Sequence, residues 1–178
     1  MSSLRILVEE DQSPDCLTHL QLHYFCSKTD LNLADFCAQF VEPNLALFCA
    51  MLNGVGLDST LSTGLYTIFA PSNEALGLAY NDTNLTSTVN ITDPGVATRV
   101  ALQHFLSGSA IMNLGELPCN EDVEMANGDP NTLSCSDDLQ YIGGPGNDPR
   151  AFPPILNYTG IVGCNFVVYP IDGLIIPS

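Results

Sequence analysis

The sequence predicts an α+β domain in which helices come first and strands later, and three observations carry that reading. Leu45, Phe48, Met51, Leu52 and Val55 recur at helical spacing, as do Val96, Val100 and Phe105 or Leu106. From Ala110 onward that period is gone, and short apolar runs alternate with Gly, Pro and Asn-Gly. Between the two helical stretches, Leu65 to Ala75 joins an apolar run to a proline and then to a helix start. With 178 residues, 46% of them hydrophobic, the chain can bury one real core, so a single main domain is expected.

In chain order, Asp11 to Pro14 reads as a turn, and Leu17, Leu20 and Tyr24 suggest one short helix or a packed arm. Within it Cys16, His19, His23 and Cys26 have the residue types of a zinc site. On a single helix Cys16 and Cys26 would stand about 15 Å apart, so the four cannot converge on one ion. Only His19 and His23 could share one, and the reading preferred is no metal, with each cysteine bridged elsewhere. Helices are expected over 34–40 and 44–55, separated by Pro43 and ended by Asn53-Gly54 and Gly56, with a short helical turn at 57–61. The pattern buries Cys37 and Cys49, which either pair or simply pack.

The run Leu65 to Ala70 reads as a buried strand that Pro71 stops, because a proline cannot donate to a ladder. Ser72 or Asn73 can accept from the free amides that follow, so a helix is expected to about Tyr80. Residues 81–92 are polar and without apolar period, a surface loop with room for sugars. It carries the sequons at Asn81, Asn84 and Asn90, and a fourth lies at Asn157. Asp93 then caps a helix with Pro94 in its first turn, running to Ser107-Gly108. His104 falls on this helix. No nucleophile elbow, ligand cluster or phosphate loop accompanies it, so it is read as a structural imidazole rather than a base or metal ligand.

Short strands are expected at 110–112, 123–126, 132–135, 139–142 and 155–158. Asn127-Gly128 is the strongest hairpin signal. A two-residue turn there pairs residues whose numbers sum to 255, and Cys119 with Cys135 sums to 254, so a bulge would join them in a disulfide. The pairing of Cys16, Cys26, Cys37, Cys49 and Cys164 is open, and an odd count of seven leaves one thiol free or bound to another chain. Gly143 to Pro149 has the glycines of a phosphate cradle but neither lysine nor following helix, and is read as a loop. Glu116, Glu121, Asp122 and Glu124 lack calcium-loop spacing and read as a solvated hairpin face. Gly160 to Pro177 should form two closing strands.

Thr67 to Ala75, Thr-Ile-Phe-Ala-Pro-Ser-Asn-Glu-Ala, resembles the first signature of fasciclin-type domains. Leu102 to Leu106 is similar to the family's central Tyr-His segment, with Gln103 where Tyr is usual, and Asn165 to Pro177 to its closing signature. The last departs at Phe166, Tyr169 and Pro170. The resemblance implies a β-sandwich or wedge with a layer of α-helices packed on it, spanning 33–178, with 1–32 a cysteine-containing extension. It also implies structural roles for Thr67, Phe69, Ala70, Pro71, Ser72, Asn73, Ala75, His104, Asn165, Ile171, Asp172 and Pro177, and no catalytic residue or cofactor. The family's usual work is adhesion at cell surfaces or in matrix, through protein or glycan contacts, but its integrin-type segments are not recognisable here.

Charge narrows the partners. Four Lys+Arg against 20 Asp+Glu give −16, which repels phosphate backbones and anionic membranes, so nucleic acid is excluded. No stretch reaches the roughly 20 apolar residues of a membrane span, and the apolar run after Met1 is too short for a secretory signal. Seven cysteines and four sequons nevertheless favour an oxidising, extracellular setting from which a signal has been removed. The expectation is a secreted, non-enzymatic adhesion module. The alternative is a structural accessory subunit of an assembly in another oxidising compartment, such as a thylakoid lumen. Oligomeric state is not legible.

Overall fold

The computed structural model describes residues 33–39, 44–57, 64–82, 92–136, 139–156 and 159–178. The expectations for residues 1–32, including Cys16, His19, His23 and Cys26, lie outside them, as do Asn84, Asn90 and Asn157. Four helices are described: α1 (Leu33–Gln39), α2 (Ala46–Gly54), α3 (Asn73–Asn81) and α4 (Pro94–Leu102). The strands are β1 (Tyr66–Pro71), β2 (Phe105–Ser107), β3 (Glu121–Glu124), β4 (Pro130–Ser136), β5 (Leu139–Gly143), β6 (Ile161–Val162) and β7 (Phe166–Ile171).

They form two sheets, ordered β2-β1-β7-β6 and β3-β4-β5. At the centre of the first, β1 lies parallel to β7, from Tyr66 opposite Phe166 to Pro71 opposite Ile171. The sheets are stitched at both ends. On one side Ile142 N donates to Pro153 O (2.9 Å), Ile155 N to Gln140 O (2.9 Å) and Leu156 N to Pro170 O (2.8 Å), so 153–156 bridges β5 to β7. On the other, Ala126 N donates to Phe105 O at 2.7 Å, joining the β3–β4 hairpin to β2. The result is a closed wedge, an α+β fold with helices on one face.

Alternation on the two central strands divides the core. Ile68, Ala70, Phe166 and Val168 face the helices and pack with Phe36, Phe48, Leu52, Leu76 and Val100. Phe69, Val167, Tyr169 and Ile171 face the second sheet and pack with Leu133, Ile142 and Ile155. Burial on both faces is what a parallel pair requires, and it explains why this stretch reads as a continuous apolar run.

Several expectations change. The helix after Asp93 ends at Leu102, not near Gly108. Gln103 N and His104 N close short turns onto Val100 O (3.2 Å) and Ala101 O (3.0 Å), after which Phe105, Leu106 and Ser107 pair antiparallel with Ile68, Thr67 and Tyr66. Phe105 and Leu106 had fitted the helical stripe, but burial against β1 wins. Residues 110–112 form no strand, because their backbone is engaged by the side chains of Thr67 and Tyr169. β3 covers Glu121–Glu124, two residues before the expected start at Val123. Of 155–158, Ile155 forms only an isolated bridge to Ile171, and 157–158 lie outside the described residues.

The Asn-Gly turn is also different. Gly128 N donates to Met125 O (2.9 Å) with Gly128 at φ 86°, so three residues make the turn and Glu121 faces Leu133. That shift of one brings Cys119 opposite Cys135, and the pair forms a disulfide with Cα atoms 5.6 Å apart. A second joins Cys37 on α1 to Cys49 on α2, Cα atoms 5.3 Å apart, and Cys164 is disulfide-bonded too. Because the Cys119–Cys135 bridge closes a loop with a sequence separation of 16, the Cys119→Ser/Cys135→Ser variant is expected to lose about 2–3 kcal/mol in urea unfolding. An unchanged midpoint would show that the hairpin contacts alone hold this end.

Candidate interaction surface

Several polar motif side chains act as fasteners between elements of the wedge. Ser72 caps α3 by accepting from Ala75 N at 3.1 Å. Leu45 precedes α2 and has no side chain that can cap it, and Asn73 substitutes: its Oδ1 accepts from Leu47 N at 2.8 Å, pinning α2 to α3. Thr67 is fully buried on β1, where its Oγ1 donates to Ser109 O and accepts from Ile111 N, both at 2.9 Å. Tyr169 extends the same clasp from β7 by donating to Ile111 O at 2.9 Å. Burial, with a smaller contribution from Glu116, pushes its phenol up to about 12.

His104 occupies the turn between α4 and β2 and is fully buried. Its Nδ1 lies 2.8 Å from Val100 O and its Nε2 accepts from Ile175 N at 3.1 Å, which fixes a neutral ring with the proton on Nδ1. Burial drives its pKa down to about 4, and the Val100 bond opposes only part of that. Both nitrogens are used in joining α4 to the closing segment, so the ring has neither lone pair nor proton to present at the surface. Phe69 and Ala70 are fully buried, Ala75 and Ile171 line the cores, and Pro177 is buried. Asn165 donates from Nδ2 to Gly64 O at 2.9 Å and accepts from Tyr66 N on its own carbonyl. Asp172 is exposed, and its amide donates to Pro154 O at 3.1 Å.

Sequence reasoning missed two further fasteners. Gln103 is fully buried and bonds to Asn131, while Asn127 at the hairpin turn donates to Gln103 Oε1. Asn131 Nδ2 returns a bond to Gln103 O at 3.1 Å. At the rim Arg99 meets Asp129 (2.8 Å) and Ser178 Oγ (2.7 Å). Burial works against the Asp129 carboxylate, but these bonds from Arg99 and Ser178 hold it below the usual range. The signal available was Gln103 itself, a polar residue at an otherwise apolar helix end.

The second is Asn147 in the glycine-rich loop. Its Oδ1 accepts from Gly144 N and Ile176 N, both at 2.9 Å, and its Nδ2 donates to Leu174 O at 2.9 Å. The glycines permit this closeness: a Cβ on Gly144 would lie 2.4 Å from Ile176 O, and one on Gly146 2.5 Å from Pro177 O. The loop clamps the tail. Asn147→Ala is expected to cost about 2–3 kcal/mol, because it orphans backbone groups at a partly buried site. Hydrogen exchange should rise at Ile176, and a loss below about 0.5 kcal/mol would show that water replaces the clamp.

What faces water is acidic. Glu74, Asp82, Asp93, Glu116, Glu121, Asp122, Glu124, Asp148 and Asp172 are all exposed. Among the described residues the basic side chains are Arg99 and Arg150. Asn81, the described sequon, is exposed at the end of α3 and donates from Nδ2 to Gly77 O at 2.7 Å. Leu78 stands 67% exposed on the outer face of α3. No helix among the described residues is long and apolar enough to cross a membrane.

A family model described as the fasciclin domain matches residues 43–177. Among solved structures, the chain is similar to a domain pair from the insect cell adhesion molecule fasciclin I, with a TM-score of 0.55 and 17% identity. That match covers 74% of this chain and 45% of the other, and at this identity it speaks for the fold. No curated protein matches.

Proposed function

Because the chain belongs to the fasciclin domain family, we propose that it is a non-enzymatic adhesion and interaction module, working at a cell surface or in extracellular matrix. The observation that carries the proposal is the inward use of buried polar side chains. Thr67, Gln103, His104 and Asn131 spend their hydrogen bonds on internal joints, so the wedge is a rigid carrier and contact falls to its outer face. The disulfides suit an oxidising compartment, and the cell adhesion molecule with the same fold points in the same direction.

The test is adhesion of cells and of matrix protein and glycan arrays to the immobilised chain, paired with glycan mapping of native material. Saturable binding, and sugars at Asn81, Asn84, Asn90 or Asn157, are expected. Unglycosylated protein co-purifying with a multisubunit assembly would favour the accessory-subunit alternative and end this reading.

A further inference from the structure

We propose that the groove between α3 and the 147–154 loop is the docking site for a basic, apolar-anchored peptide segment of a protein partner; this rests on the interaction-module reading above. The groove is open and encloses about 320 Å³. Its apolar lining comes from Ala75 and Ala79 of α3, Phe152 and Pro153 of the loop, and Leu174 of the closing segment. Such a channel suits one or two apolar side chains. Leu78, on the rim, stands 67% exposed, more than any other large apolar residue described.

The occupant's charge follows from two carboxylates in the lining. Asp82, just after α3, and Asp172, just after β7, both line the groove and are both exposed. They sit on a chain of net charge −16, so an anionic segment is repelled and a cationic one is drawn in before contact. A second copy of the chain carries the same charge and is disfavoured for that reason. Arg150 adjoins the lining Ala151 but is not itself in the lining, whose charged side chains are Asp82 and Asp172. Lysines or arginines flanking a leucine or phenylalanine satisfy both requirements: the apolar anchor enters between Ala79 and Phe152 while the cations reach Asp82 and Asp172.

The experiment uses the whole chain, isotope-labelled for NMR, with a lysine-flanked Leu-Phe peptide, the same peptide with Gly-Ser in place of Leu-Phe, and a glutamate-flanked version. Amide shifts centred on Leu78, Asp82, Phe152 and Gly173 are expected with the first alone. Leu78→Ser and Asp82→Asn/Asp172→Asn should each weaken binding about tenfold, the latter also flattening its salt dependence. No binding, equal binding of the Gly-Ser peptide, or shifts spread over the acidic strand β3 would overturn the proposal. The adhesion assay separates the two readings. If the groove variants adhere like the unmodified chain, only the groove assignment fails; if the unmodified chain does not adhere, the module reading fails.

Discussion

Phe69→Ala is expected to destabilise the domain by about 3–5 kcal/mol. The ring is fully buried, stacked on Tyr169 with centroids 6.3 Å apart, and surrounded in its cluster by Val167, Leu133 and Ile171. Removing it takes away the transfer free energy and leaves a cavity whose walls are poorly able to close. Phe69 N is bonded to His104 O at 2.9 Å, while β1 is locked over six residues to β7. Neither neighbour can slide inward without breaking ladder bonds, so the cost should fall toward the upper part of the range. Urea unfolding at neutral pH measures it. A loss below about 1 kcal/mol would mean that the strand relaxes into the space and that the two sheets are less firmly stitched than their hydrogen bonds imply.

The same junction shows how far sequence carries. Strand β1, its proline end and the Ser72 cap are local features: alternation, a missing donor and a short hydroxyl each leave a mark within a few residues. The parallel partner of β1 lies 100 positions later, and only the family resemblance joined the two segments. Where local period and tertiary burial conflict, the local signal misleads. Phe105 and Leu106 continue the apolar stripe of α4, yet β1 needs a partner on its free edge and takes them as β2. Asn127-Gly128 marks a turn without fixing its length, because a glycine at positive φ serves a three-residue turn as well as a two-residue one. The partners of Gln103 and the role of Asn147 were illegible for another reason. A buried amide is recognisable only once the backbone groups it satisfies are in place, and those come from distant segments. The docking groove belongs to the same class, since α3, the 147–154 loop and residues 172–174 meet only in the folded wedge.

Lowering the pH from 7 to 4 is expected to remove about 3 kcal/mol of stability through His104 alone. In the unfolded chain this imidazole takes up a proton near pH 6.5, whereas the folded state resists until about pH 4, because a charge there would be buried. The ring's surroundings reinforce the resistance. Nε2 must stay unprotonated to accept from Ile175 N, and Phe48 lies beside it with ring centroids 5.8 Å apart. The contribution is therefore fully present above about pH 6.5, falls as pH drops toward 4 and levels off below that. Carboxylates titrate over part of the same range, so the informative quantity is the difference between the parent and His104→Gln. The variant should be less stable at pH 7, having lost the fitted joint between α4 and the closing segment, but its stability should fall by about 3 kcal/mol less on acidification. NMR of the ring nitrogens gives an independent reading, with a protonated Nδ1 and a titration near pH 4 expected. A midpoint near 6.5, or a pH profile that His104→Gln leaves unchanged, would show that water reaches the ring and that the joint between α4 and Ile175 opens in solution.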